Sequence, residues 1–293
     1  VVLSRNPQNA PWRVVAWDGE TTGQWADEVE GADVVINLAG RSVNCRYHDQ
    51  NRRAIMESRI QSTRAVGEAI QAASDPPRVW LQASTATIYA HRFDAPNDEA
   101  TGILGGQEDQ TPDTWRFSID VATSWEATAE EFDLSNTRQV LMRSAIIMSP
   151  DRGGPFDVLL GLVRLGLGGQ NGNGKQFVSW IHDRDFIRAL WFLIEHDEWE
   201  GPVNFSAPNP LPNADFMGGL RKAWGRRFGL PATNWMLELG AFFMRSETEL
   251  ILKSRRVVPG RLLEAGFEFE FPNWEQAASD LCERWRKGSQ DGS

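Results

Sequence analysis

Three short clusters carry side chains that could do chemistry, and each falls where an apolar run ends. Ala83-Ser84-Thr85-Ala86-Thr87-Ile88-Tyr89 gathers hydroxyls that can hydrogen-bond a carbonyl or an amide. Asn37-Leu38-Ala39-Gly40 offers small residues that let a backbone lie against a ligand. Ser4-Arg5-Asn6-Pro7 supplies a guanidinium, which grips phosphate as a planar fork. Plainer alternatives stand beside these: a capped strand end, a tight turn that needs Gly40, a surface arginine. Trp180-Ile181-His182-Asp183-Arg184-Asp185 adds a histidine able to move a proton at neutral pH, or else a satisfied structural one. Tyr89 either faces a cleft or is a half-buried phenol with a backbone partner.

Such clusters need a scaffold that brings strand ends to one side. Short β-branched runs at Val1 to Ser4, Arg13 to Trp17, Asp33 to Leu38, Arg78 to Ala83 and Thr137 to Ser144 alternate with helical patterns. Apolar positions spaced for a helix cover Asp49 to Ala73 and stop before Pro76-Pro77, and a second helix is expected from about Trp115 to Phe132. This alternation predicts an α/β protein with a Rossmann-like, doubly wound parallel sheet, in which ligands bind at the carboxyl ends of the strands. A polar stretch from His91 to Pro112 is long enough to be functional or disordered. After Pro150 the alternation breaks: a helix from Phe156 to Leu165, a glycine-rich run, a strand over Gln176 to Ile181 and a helix from Asp183 to Glu195 are expected. From Pro208 the pattern is mainly helical and ends in an amphipathic segment from Trp274 to Trp285. An arginine rather than a carboxylate after the strand ending at Ser4 is the arrangement that accommodates the 2′-phosphate of NADP.

Composition narrows the possibilities. The chain has 293 residues and a net charge of −10, which argues against a general nucleic-acid or anionic-membrane surface. Neither a signal peptide nor an apolar run of roughly 18 residues occurs, so a cytoplasmic protein with a small-molecule substrate is expected, its oligomeric state open. The two cysteines, Cys45 and Cys282, lie far apart without metal-ligand spacing, so no metal site is expected. Only two tyrosines, Tyr47 and Tyr89, and four lysines, Lys175, Lys222, Lys253 and Lys287, are present, and no lysine follows a tyrosine by four positions. The chain opens on Val1, already reading as the end of a buried strand, and the start of the natural protein is expected to lie upstream.

In their order, these clusters resemble the extended short-chain dehydrogenase/reductase superfamily, and within it the atypical NADP-binding, epimerase-like group with a C-terminal helical domain. The resemblance rests also on Trp17-Asp18, Ser58-Arg59 with Thr63, Trp125-Glu126, Arg143-Ser144, Gly166-Leu167-Gly168-Gly169, Ser179-Trp180-Ile181-His182, Ala207-Pro208-Asn209-Pro210, and the late Val258-Pro259, Arg261-Leu262-Leu263 and Ala265-Gly266-Phe267. It implies a 2′-phosphate held by Ser4 and Arg5, adenine at Asp18, the middle of the cofactor at Leu38, Ala39 and Gly40, and further contacts from Arg59 and Ile147. It implies an NADP-binding domain over residues 1–206, with a substrate-side insertion at about 150–177, and a cap over 207–293. The superfamily's glycine-rich turn belongs to a first strand and helix of roughly 25–30 residues that this chain lacks, which would leave a gap in the sheet with unpaired backbone on both flanks. The superfamily's Tyr-x-x-x-Lys acid–base pair is also lacking. Thr85 stands in for the catalytic hydroxyl, and Tyr89 and His182 are the candidate acids. Two functions fit: an NADP-dependent epimerase or reductase acting on a small carbonyl or nucleotide-sugar-like compound, or a non-catalytic NADP(H)-responsive binding protein.

Overall fold

The computed structural model describes residues 1–108, 111–232 and 253–290. Strands β3 (Val34–Asn37), β4 (Val79–Thr85), β5 (Arg138–Ser144) and β9 (Gly201–Phe205) form a parallel sheet in that order, while β1 (Val2–Ser4) and β2 (Val14–Ala16) form a separate parallel pair. The pair and the sheet share no strand pairing among the described residues, yet Leu3, Val15, Val35 and Trp80 enter one core.

Both faces of the sheet are covered, and the period of two along each strand decides which residue goes where. Trp80 and Leu141 pack with Ala65, Val66, Ala69 and Ile70 of α1 (Asp49–Ala72). Their neighbours Val79, Leu81, Val140 and Met142 turn the other way, toward Ala189, Leu193 and Ile194 of α4 (Asp183–Glu195). This is the doubly wound arrangement that the alternation predicts. Helix α1 also meets α2 (Asp113–Glu130) and the chain just beyond it: a Cβ on Gly67 would stand 2.4 Å from the Phe132 ring. Gly67→Ala should therefore destabilise the fold by about 1–3 kcal/mol through overpacking. A denaturant midpoint matching the parent's would refute the tight fit.

A further core joins α3 (Pro155–Arg164), α5 (Asn213–Trp224) and α7 (Trp274–Gln290). Trp274 stacks on Phe216 with centroids 4.0 Å apart, and its indole N–H donates to the Phe216 carbonyl at 2.7 Å. The short helix α6 (Gly260–Glu264) sends Leu262 into the α4 side of the sheet. The part of the expected helical cap over 233–252 lies outside the described residues.

Two expectations need correction. The single strand read over Gln176 to Ile181 divides into β7 (Phe177–Val178) and β8 (Trp180–His182), because Ser179 turns inward to bond the Arg255 carbonyl at 2.5 Å and the Val257 N–H at 2.8 Å. The halves then take different partners: β7 pairs antiparallel with β10 (Leu211–Pro212), and β8 parallel with β6 (Ile146–Met148). Strand β4 outruns its expected end by two residues, so Ser84 and Thr85 belong to the strand and point to opposite faces.

Candidate functional site

The carboxyl ends of β1 and β2 lie side by side. Ser4 pairs with Ala16 in register, so the residues that follow each strand emerge side by side, and the Arg5 Cδ lies 3.8 Å from where a Cβ on Gly19 would stand. Arg5 is exposed and makes no ion pair among the described residues. Asp18 accepts from the N–H groups of Glu20 and Thr21, both at 2.8 Å, and from the Thr21 hydroxyl, bonds that hold its carboxyl below the usual range. It lines an open cavity of about 690 Å³ with Trp17, Thr21, Gly23 and Trp25.

At the end of β3, Asn37 fixes the turn in two directions. Its amide donates to Gln82 on β4 at 2.9 Å, and its carbonyl accepts the Ala39 N–H at 3.0 Å, leaving Leu38 and Gly40 exposed. Arg59 reaches this turn from α1: its guanidinium carbon lies 3.5 Å from a notional Gly40 Cβ and 4.9 Å from the Trp125 ring centroid, and its Nη1 donates to the Arg41 carbonyl at 3.1 Å. Ile147 lies on β6, just past the end of β5, and packs on the α4-side core. Ser4, Arg5 and Asp18 are thus gathered in one place and Leu38, Ala39, Gly40 and Arg59 in another.

Thr85 ends β4 opposite Ser144 of β5, and its hydroxyl accepts the Thr87 N–H at 3.2 Å. Behind it runs a buried polar chain. Ser84 donates to Glu126 at 2.5 Å; Arg143 grips Glu126 with two bonds of 2.9 and 2.7 Å and donates a third to the Tyr89 phenol at 3.0 Å. Tyr89 donates in turn to Asn204 at 3.0 Å. The phenol is therefore committed at both its donor and its acceptor site, and burial raises it above its ordinary range despite the Arg143 charge. Packed against Ala86, Ile88 and Tyr89 is Ala122, so the face of α2 turned to this strand end carries no acid or base at that position.

Glu126, Arg143 and Asn204 were not singled out for a role by their sequence, although a signal exists. Glu126 interrupts the buried stripe Ala122, Trp125, Ala129 of α2, and Arg143 ends the apolar run Val140-Leu141-Met142 of β5. Opposite charges at two core positions ask for each other.

A strap over residues 253–258 closes the rim from the C-terminal side. Ser254 N–H donates to His91 Nδ1 at 2.8 Å, Lys253 to the Thr87 carbonyl at 2.8 Å, and the Asn97 N–H to the Arg256 carbonyl at 2.7 Å. Asn204 donates to the Val258 carbonyl at 3.0 Å, which ties the strap to the polar chain. These bonds hold the chain after Tyr89 at His91 and Asn97.

His182 shares no partner with Thr85 or Tyr89. It is fully buried, stacked on Phe271 at 3.8 Å, with Nε2 3.0 Å from Asp280 and Nδ1 2.9 Å from Asp183. Asp185 is buried as well and accepts the N–H groups of Glu270 and Phe271 at 2.7 and 2.9 Å. Both residues fasten α4 to the chain that leads into α7. Burial pushes the Asp183 carboxyl up, but hydrogen bonds from Arg284 and His182 outweigh it and hold it well below the ordinary range. A depressed carboxylate contributes stability above its unfolded-state value, near pH 4, and that stability is lost as pH falls through the folded value. Acid unfolding should set in below about pH 4, and Arg284→Ala should flatten that limb of the stability curve. An unaltered acid limb in the variant would detach Arg284 from it.

No helix among the described residues is long and apolar enough to cross a membrane. The model of the NAD dependent epimerase/dehydratase family matches residues 2–205, and a domain of unknown function, DUF1731, matches residues 232–281. Epimerase family protein SERP0438 of Staphylococcus epidermidis is 33% identical over 282 residues, covering 96% of this chain and 89% of its own length. The crystal structure of human epimerase family protein SDR39U1 (isoform2) with NADPH superposes with a TM-score of 0.82 at 29% identity, covering 96% of this chain and 90% of that one. The nucleoside-diphosphate sugar epimerase from Corynebacterium glutamicum superposes with a TM-score of 0.72 at 26% identity, covering 96% of this chain and 52% of that one.

Proposed function

This chain belongs to the NAD dependent epimerase/dehydratase family, and from that premise we propose that it binds NADP(H) along the carboxyl edge of β1, β2 and β3. The observation that carries this reading is Arg5, exposed and without an ion pair among the described residues, beside the Asp18 turn, in a chain similar nearly end to end to a human protein crystallised with NADPH. The donor set suits the cofactor: Ser4 and Arg5 for the 2′-phosphate, the cavity at Asp18 for adenine, the small turn Leu38, Ala39 and Gly40 for its middle, with Arg59 and Ile147 flanking. Residues 1–206 form the cofactor unit in this reading, about 150–177 a substrate-side insertion, and 207–293 the cap. The free cysteines Cys45 and Cys282 suit a reducing compartment, and a cytoplasmic location is part of the proposal.

The cofactor would supply hydride to, or accept it from, a small carbonyl or nucleotide-sugar-like substrate, a class supported by the similarity to the nucleoside-diphosphate sugar epimerase. Thr85 orients the substrate oxygen. Of the candidate acids, Tyr89 and His182 are buried and bonded on both sides, so proton transfer falls to Thr85 with solvent, and turnover is slow. The second reading, a non-catalytic NADP(H)-responsive binding protein, is favoured by Ala122, an alanine facing the residues that follow Thr85. Titration with NADPH followed by a carbonyl and nucleotide-sugar screen separates them. Thr85→Ala is expected to lower turnover by about 10²–10⁴-fold with NADPH affinity unchanged. Tight NADPH binding with no turnover of any class would give the second reading the lead, and a chain that does not bind NADPH would end both.

A further inference from the structure

The whole-chain charge does not describe the end of the molecule where α3 and α5 stop. Two loops meet there, 164–169 after α3 and 225–231 after α5, and four apolar side chains stand out from them: Leu165 is 75% exposed, Phe228 68%, Leu230 50% and Leu167 44%. Isolated exposed leucines are ordinary, but four on adjoining loops make a patch. The loops are fastened to each other by backbone bonds, Leu230 N–H to the Gly166 carbonyl at 2.8 Å and Gly169 N–H to the Leu230 carbonyl at 3.1 Å. Arg221 adds a bond to the Gly168 carbonyl at 2.6 Å.

Three cations lie next to the patch along the chain, Arg164 with its guanidinium 4.6 Å over the Trp285 ring and Arg226 donating to the Arg164 carbonyl at 3.4 Å. Arg164, Arg226 and Arg227 are exposed and make no ion pair among the described residues, in a chain whose net charge is −10. A cation at the last turn of a helix is explained by the helix dipole, and Arg164 alone would need nothing more. Arg226 and Arg227 lie beyond α5, beside Phe228, and a dipole does not explain the apolar side chains they flank.

We propose that this end of the molecule docks on an anionic lipid surface, with Leu165, Leu167, Phe228 and Leu230 entering the headgroup region and Arg164, Arg226 and Arg227 contacting lipid phosphates. The apolar groups stand on loop tips, a shape suited to a soft surface that closes around them. Charge complementarity sets the orientation. At physiological salt, interactions are screened within about 8 Å, so the three arginines act on a nearby membrane while the distant acidic surface is hardly felt. Each arginine held near an anionic surface strengthens binding by about fivefold, and the apolar side chains add attraction that salt does not remove.

Flotation of the full chain with vesicles containing about 30% phosphatidylglycerol, against vesicles of phosphatidylcholine alone, tests the proposal. Binding at least tenfold stronger to the anionic vesicles is expected. The pair Arg226→Ala, Arg227→Ala should weaken it by about 25-fold. The pair Leu165→Ser, Phe228→Ser should weaken it at least tenfold with an unchanged thermal melt and NADPH response. Failure of the full chain to bind anionic vesicles, or binding that neither pair alters, overturns the proposal. So does a shift of the Leu165→Ser, Phe228→Ser protein to a smaller assembly in size-exclusion chromatography, which would make the patch a contact between copies of the chain.

Discussion

Glu126→Ala is expected to cost the fold about 3–5 kcal/mol, because it strands the Arg143 guanidinium inside the protein. The two side chains retain only 9% and 8% of their exposure, and the pair is joined by two bonds in the fork geometry that suits a carboxylate. Ser84 and Tyr89 lose satisfied partners by the same change, one directly and one through Arg143. Removing both charges together, as in Glu126→Leu with Arg143→Met, should recover most of the loss, since an apolar pair of similar volume leaves no orphaned ion. Equilibrium denaturation of the single and double variants reads this directly. A single variant within about 1 kcal/mol of the parent would mean that water or another group reaches Arg143.

Arg5→Ala should weaken NADPH binding about tenfold or more and leave NADH nearly unchanged. A charge-assisted bond of a guanidinium to phosphate contributes roughly 1.5–3 kcal/mol, and NADH has no 2′-phosphate to receive it. The side chain is exposed and makes no ion pair among the described residues, so its loss should not disturb the fold. Parallel titrations with the two nucleotides decide the matter. Equal losses for both would make Arg5 a structural residue or move the 2′-phosphate elsewhere.

The doubly wound sheet was legible because its signal is local and repeated. Val79-Trp80-Leu81 and Val140-Leu141-Met142 are continuous apolar runs of the kind that strands buried on both faces require, and α1 shows its buried stripe in sequence. The ends at Ser4 and Asn37 were legible to within a residue for the same reason, whereas β4 runs two residues past the end expected for it. What composition and periodicity could not give was pairing over distance. His182 looked like a proton carrier because histidine titrates near neutrality, but Asp280 and Phe271, which flank it, and Arg284, which pairs with Asp183 beside it, come from a part of the chain about a hundred residues on. Tyr89 followed the hydroxyl-rich strand, and only the fold brings Arg143 and Asn204 to its phenol. The break at Ser179 depends on the strap, so the run Gln176 to Ile181 gave no local hint of it.

The strap also fixes the order in which the rim can come into being during synthesis. Ser254 bonds to His91 across 163 residues of chain, and Lys253 reaches Thr87 across 166. At about 5–20 residues per second, a ribosome needs roughly ten to thirty seconds to supply that stretch. Within that interval α2, β5 and β9 are made in turn, while His91 and Asn97 await Ser254 and Arg256. The hydroxyl rim therefore closes late, shortly before the chain that supplies α6 and α7 is made.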